Sequence, residues 1–175
     1  EFFRIVDILK PDVILIENVK GILSSHGGEI LKDIIFSIDE REYFSGYKLL
    51  NAYDYGVPQT RERVFIIGSR IGNNILFPTK KNYKVPVSVA LDGISDDSIN
   101  HEKRFLKGKT LERVKYIKPG ENWRKLPKSL QTKSIHSGAY GRIDPDKPSR
   151  TLQTRFDSPP VGYVTHPYED RTLTV

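Results

Sequence analysis

The sequence predicts an α/β fold in which an incomplete doubly wound sheet is followed by a smaller, irregular lobe. Three observations predict it: a β-branched apolar run at 12–16, a helical apolar repeat at 29–43, and two strand-like segments at 47–52 and 63–69. Strands that alternate with a helix are typical of such sheets. The 175 residues are enough for one domain with an appendage.

The first two elements are predicted to be a helix and a strand. Residues 2–10 place apolar side chains at mixed helical spacing before Pro11, which indicates a mostly buried helix that the proline ends. The run DVILI at 12–16 is continuously apolar, as in a parallel strand buried on both faces. The strand is expected to stop at Glu17 and Asn18.

The next elements complete the first part of the chain. The helix at 29–43 is amphipathic, and the strands at 47–52 and 63–69 are joined by the turn-rich link YGVPQTRE. A complete doubly wound sheet needs further strands, and the chain contains no methionine. We therefore expect an internal fragment of a longer protein.

The apolar pattern weakens after residue 70, where Gly, Pro, Asn and Asp become frequent. The predicted domains are an α/β part at 1–70, an irregular lobe at 71–165, and a truncated return towards the first part at 166–175. No apolar run approaches the length of a membrane span.

Positive charge is concentrated in one segment. Residues 101–133 carry 11 Lys and Arg against 3 Asp and Glu, whereas the whole chain has a net charge of +6. Phosphate backbones bind such a segment by releasing counterions, although a solvated basic face without a partner has the same composition. Trp123 lies in this segment and is expected either to anchor a small core or to stack on a base.

Composition excludes several chemistries. Without cysteine the chain has no disulfide, thiolate metal site or cysteine nucleophile. The four histidines, at positions 26, 101, 136 and 166, show no paired ligand spacing, so we expect no metal and no catalytic histidine.

Two short motifs carry candidate chemistry. Glu17 follows an apolar strand, where α/β sheets bind ligands, but a turn-capping or solvated glutamate would look the same. Arg61 and Arg63 are two residues apart and leave an extended chain on one face, with Gln59 in phase if the extension reaches it. Their guanidinium groups could converge on a carbonyl, phosphate or carboxylate, or form an exposed row on an edge strand.

Together these motifs resemble the DNA (cytosine-5) methyltransferase family. The resemblance runs from about Pro11 to Arg70 and includes ENV at 17–19 and NAYDYGVPQTRERVFIIGSR at 51–70. A looser match covers RIDPDKPSRTLQT at 142–154 and HPYEDRTLTV at 166–175. Residues 71–135 match only by their place, which is that of the family's variable target-recognition region.

The resemblance implies an enzyme that transfers methyl from S-adenosylmethionine to carbon 5 of a flipped cytosine in double-stranded DNA. It assigns Glu17 to the cytosine ring nitrogen and amine, and Arg63 to the carbonyl oxygen. Arg61 and Gln59 would hold the flipped nucleotide, and Asn18 is expected to bind substrate. It also implies a cytoplasmic protein of a bacterium or phage, in a restriction-modification context.

The resemblance also suggests residues that contact DNA. Thr151 matches a position that meets the DNA backbone in the family, and Arg155 lies in what would be a base-reading loop. Arg124 and Lys125, in the basic segment, are further candidates, with lysines on phosphates and one or two arginines on guanine edges.

The chain departs from the family pattern in ways that predict inactivity alone. It has no Pro-Cys nucleophile, no glycine-rich cofactor loop and no C-terminal portion to complete the cofactor side, so most of the S-adenosylmethionine site is missing. The alternatives are a non-catalytic DNA-binding module or one subunit of a split methyltransferase. An exposed sheet edge, where further strands would pair, predicts self-association.

Overall fold

The computed structural model describes residues 1–99, 101–131 and 136–174, and its chain divides into two compact units. The first unit comprises 1–55 and 61–82, and the second comprises 56–60 and 83–175. The first unit therefore continues past the boundary predicted near residue 70. The four α-helices of the described residues are α1 (Phe2–Leu9), α2 (Glu29–Asp39), α3 (Val87–Leu91) and α4 (Gly108–Lys115).

The strands of the described residues are short apart from three in the first unit. They are β1 (Val13–Val19), β2 (Phe44–Asn51), β3 (Gln59–Thr60), β4 (Glu62–Ser69), β5 (Gly141–Arg142), β6 (Ser149–Arg150) and β7 (Tyr163–Thr165). Short 3₁₀ turns lie between several of the helices and strands, including Ala52–Tyr55 and Trp123–Lys125. The mixture of helices and small sheets gives the α/β class that the sequence predicts.

The sheet of the first unit has the order β1-β4-β2, and both of its pairings are antiparallel. The doubly wound parallel arrangement is therefore not confirmed. The prediction that β1 ends at Glu17 is wrong, because the strand continues to Val19, which pairs with Arg63. Backbone pairing with β4 extends the strand regardless of the polar side chains at its end.

Only one face of this sheet is covered by the packed helices. Ile14 of β1 and Val64 and Ile66 of β4 pack with Leu31 and Ile38 of α2 in one buried cluster. On β1 the alternate side chains Val13, Leu15 and Val19 are exposed, so the prediction of burial on both faces is wrong. Strand side chains alternate between faces, and only one face of β1 packs on this core.

Helix α1 is also less buried than its composition indicates. Val6 alone is buried along the helix, whereas Ile8 and Leu9 are 66% and 70% exposed. The helix ends as Pro11 predicts, with Lys10 in the left-handed region at φ 44°. Apolar spacing indicates a helix but not how many of its sides find a packing partner.

Close packing of α2 on the sheet depends on Gly68. A methyl group at this position would lie 2.8 Å from Ile38 Cγ2. We expect Gly68→Ala to lower the free energy of unfolding by about 1–3 kcal/mol through overpacking, as measured by urea denaturation. Gly72→Ala, where the added methyl meets nothing within 4 Å, is the matched control. Equal midpoints for the two variants would contradict this packing.

The second unit has its own core around α4. Val114, Ile117, Leu126, Leu130, Ala139 and Tyr140 form its buried cluster. Trp123 packs against that cluster, as expected for a core anchor. Two small parallel pairings, β3 with β6 and β5 with β7, order the rest of the unit. None of the helices in the described ranges is long and apolar enough to cross a bilayer.

Candidate active site

The first unit brings Glu17, Arg61 and Arg63 together. Arg61 Nη2 and Arg63 Nε each lie 3.2 Å from Oε1 of Glu17. The Glu17 side chain is 45% exposed, and those of Arg61 and Arg63 are 39% and 19% exposed. At this exposure each ion pair contributes about 1 kcal/mol at most to stability, so the cluster is better understood as a site than as a stabilising element.

The antiparallel register explains how the three side chains meet. Glu17 pairs with Phe65, and Val19, two residues further along β1, pairs with Arg63. Residues two apart share a face of the sheet, so Glu17 and Arg63 are diagonal neighbours across β1 and β4. Arg61 lies immediately before β4 and reaches the same carboxylate oxygen.

The two arginines leave part of the carboxylate unbonded. Arg61 Nη2 donates to Oε1 and Arg63 Nε lies 3.2 Å from the same oxygen, and among the described residues no hydrogen bond is made to Oε2 of Glu17. Arg63 Nη1 donates to Glu62 O at 2.8 Å, whereas other guanidinium N–H groups remain available. A planar ligand that presents donors beside an acceptor is complementary to such a site, since carboxylates only accept and guanidinium groups only donate.

Asn18 does not join this cluster, and Gln59 belongs to the other compact unit. Asn18 follows Glu17 on β1 and so lies on the opposite face, where its Oδ1 accepts from Val19 N–H at 2.8 Å. Its substrate-binding role stays a prediction that this geometry does not support. Gln59 belongs to the second unit, where β3 pairs it with Ser149.

The predicted DNA contacts all lie in the second unit. Thr151 Oγ1 donates to Thr60 O at 2.8 Å, so its hydroxyl ties β3 to the chain beyond β6. Arg155 is an exposed turn residue. Arg124 donates to Ser137 O at 3.2 Å and lies over the Trp123 ring, and Lys125 is exposed beside it. Their roles in DNA binding stay predictions.

The basic segment presents lysines without acidic partners. Lys103 and Arg104 pair with Asp96 and Asp157. In the part of the chain that the structure describes, the remaining exposed lysines of the segment form no ion pair. They are Lys107, Lys109, Lys115, Lys118, Lys125 and Lys128. Unpaired surface ammonium groups can bind phosphate without first breaking a contact.

Sequence reasoning missed a buried arginine that organises the second unit. Arg142 donates to the carbonyl oxygens of Val114, Ile117, His166 and Glu169 and to Asp170 Oδ1, at 2.6–3.0 Å. The looser family match begins at this residue, but its acceptors are 24–28 residues away in sequence. No local pattern shows those contacts.

His166, expected to be non-catalytic, is buried beside Arg171 and Arg142. Its Nδ1 accepts from the backbone N–H groups of Tyr168 and Glu169 at 3.2 and 3.1 Å. Burial, then the charge of Arg171, lowers the pKa of His166 to about 4, against an opposing effect of Glu169 and smaller lowering by Arg142 and His101. Across the described residues, no group of three acidic, histidine or cysteine side chains could hold a metal ion.

This pKa predicts a pH dependence of stability. A histidine whose pKa is lower in the folded than in the unfolded state makes its full contribution to stability when the pH is above the unfolded pKa of about 6.5. That contribution is lost as the pH falls towards about 4, by on the order of 3 kcal/mol. We expect Trp123 fluorescence to report weaker resistance to urea at pH 4.5 than at pH 7. In His166→Asn, which keeps an acceptor but cannot titrate, the difference should shrink; an unchanged difference would contradict the assignment.

Comparison with known proteins decides the family. A family model for C-5 cytosine-specific DNA methylase matches residues 1–175. The chain belongs to this family. It is 34% identical over 184 residues to the type II methyltransferase M.BbvI of Brevibacillus brevis, covering 98% of this chain and 48% of that protein. It is 27% identical over 192 residues to the type II methylase M.HgiDII of Herpetosiphon aurantiacus, covering 100% of this chain and 54% of that protein.

The chain thus spans about half the length of these curated relatives of the C-5 methylase family. A solved structure described as a DNA modification methyltransferase encoded within an E. coli prophage matches 99% of this chain and 59% of its own. Its TM-score is 0.58 and its sequence identity is 23%, which supports a shared fold. The resemblance found in the ENV and PQTRER motifs is therefore confirmed at the level of the family.

Proposed function

We propose that this chain is the part of a DNA cytosine-5 methyltransferase that holds the target cytosine and recognises the surrounding duplex. The observation that carries the proposal is the convergence of Arg61 and Arg63 on one oxygen of Glu17. Glu17 Oε2 is left without a donor in the described part of the chain, so it can accept from a ligand.

Cytosine has the edge that such a site requires. Its exocyclic amine donates, and its carbonyl oxygen accepts. Glu17 would accept from the amine and share one proton with the adjacent ring nitrogen, since neither an ionised carboxylate nor an unprotonated ring nitrogen can donate. Arg63 would donate to the carbonyl oxygen, and Arg61 would hold the nucleotide. Charge that develops in the ring during attack at carbon 6 would be stabilised by these contacts. A base can reach them only after it leaves the duplex, at a cost of a few kcal/mol.

The nucleophile and most of the cofactor site must come from elsewhere. The chain has no cysteine, and the glycine-rich loop expected of the family is not part of its sequence. S-adenosylmethionine would supply the methyl group in the complete enzyme, and we assign no step through it to these residues. The chain alone is therefore expected to bind double-stranded DNA without methylating it.

The test combines methyl transfer with DNA binding. Purified chain is incubated with duplex DNA and radiolabelled S-adenosylmethionine, alone and with a relative's protein segment that carries the Pro-Cys motif. We expect no label in DNA that is incubated with the chain alone. When the chain and the relative's segment are both present, the DNA should carry more label than with the relative's segment alone. Label from the chain alone would refute its inactivity, and absence of duplex binding at low salt would refute the DNA-binding role.

The sheet supports a further expectation of self-association. β1 and β2 each pair only with β4 among the described strands, and Val13, Leu15 and Phe44 are at least 50% exposed beside them. Unpaired edges next to apolar surface favour association. Light scattering at high protein concentration should show a dimer or larger species, and Leu15→Lys should reduce it. A monomer at every concentration would contradict the expectation.

A further inference from the structure

Asn51 is the last residue of β2, and the sequence predicted no role for it. Its side chain accepts hydrogen bonds from two backbone N–H groups. Its side-chain Oδ1 accepts from Arg61 N–H at 3.1 Å and from Tyr53 N–H at 3.2 Å. The carbonyl oxygen of Arg61 accepts in turn from Ala52 N–H at 3.0 Å. Both backbone polar groups of Arg61 are therefore held by Asn51 and its neighbour.

Arg61 depends on this support because the sheet does not provide it. The β2–β4 ladder ends where Asn51 pairs with Glu62, one residue after Arg61. Arg63, by contrast, lies within the ladder and pairs with Val19 on one side and Leu50 on the other. The sheet fixes the backbone of Arg63, whereas beyond the end of the ladder the N–H of Arg61 is held by the side-chain oxygen of Asn51 and its carbonyl oxygen by Ala52 N–H.

We propose that Asn51 is a positioning residue that fixes Arg61 for its contact with Glu17. The inference rests on the proposed function for its role in cytosine binding, but its geometry can be tested without DNA. Two backbone N–H groups donate to Oδ1 of Asn51, so the side chain at this position must be short and must carry an acceptor. Aspartate retains that acceptor, whereas leucine has a similar size without it.

The test uses NMR on the whole chain and its Asn51→Leu and Asn51→Asp variants. In Asn51→Leu the amides of Arg61 and Tyr53 are expected to exchange about tenfold faster, since each loses its hydrogen bond. The Arg61 Nε–H resonance should shift towards its position in Glu17→Gln, while that of Arg63 stays in place. Asn51→Asp should retain the wild-type exchange, and Asn73→Leu, in an exposed loop, is the matched control.

Three results would overturn the inference. They are an unchanged exchange rate of the Arg61 amide in Asn51→Leu, equal shifts of the Arg61 and Arg63 Nε–H resonances in that variant, or faster exchange of the Arg61 amide in Asn51→Asp. If Asn51→Leu does not fold, Asn51→Ala provides the same comparison with a smaller side chain. Failure of the chain to bind DNA would refute the proposed function without altering these signals. The two claims therefore fail separately.

Discussion

Arg142→Leu is expected to lower the free energy of unfolding of the second unit by about 3–5 kcal/mol. The wild-type guanidinium group satisfies four backbone carbonyl oxygens and Asp170. Leucine would leave those acceptors without their donors, and Asp170 would lose its only ion-pair partner among the described residues. A loss of this size is a large part of the stability of a small domain.

Trp123 makes this expectation measurable. It is the only tryptophan of the chain and packs against the core of the second unit, so its fluorescence reports unfolding there. Arg142→Lys retains the charge but not the planar fork, and should recover only part of the stability. Arg155→Leu, at an exposed turn, is the matched control. A urea midpoint for Arg142→Leu equal to that of the control would contradict the account.

Replacing four lysines of the basic segment by glutamine is expected to reduce duplex affinity on the order of 10³-fold at low salt. The four are Lys107, Lys109, Lys115 and Lys118, all exposed and without ion pairs among the described residues. If each contacts a phosphate, the slope of log K against log salt should fall in magnitude by about four.

The matched control removes the same charge elsewhere. Lys10, Lys32, Lys80 and Lys147 are exposed and lie outside the segment, so their replacement by glutamine changes the net charge equally. Lys80 and Lys147 differ from the test lysines in pairing with Asp54 and Asp144. This control should retain most of the affinity and nearly the full salt slope. Equal losses in the two variants would show that net charge, rather than this segment, determines binding.

Local sequence patterns predicted most helices and strands of the first unit but not which of their faces are buried. The apolar repeats located α2 and the strands β2 and β4 to within a few residues. The α2 helix ends at Asp39, earlier than the predicted 43, and Glu42 has a positive φ of 63°. Burial was overestimated for α1 and β1, because an apolar pattern does not state which faces other segments cover.

The candidate site was predictable in part for a similar reason. Glu17, Arg61 and Arg63 were found because a motif and a two-residue spacing are local signals. Asn51 and Arg142 were missed because their partners are backbone groups, which every residue carries and no sequence pattern distinguishes. Contacts of that kind become visible only when the tertiary structure is known.

The proposed hold of Glu17, Arg61 and Arg63 on cytosine is tested by selecting duplexes from a random pool with the chain and then measuring binding to the selected sequence. We expect a preferred site that contains an essential cytosine. Glu17→Leu should lose the preference for cytosine over thymine at that position while the salt slope stays unchanged, because thymine has a carbonyl oxygen in place of the amine from which Glu17 accepts. A pool without enrichment, or a Glu17→Leu variant that discriminates as well as the wild type, would contradict the proposed role of Glu17.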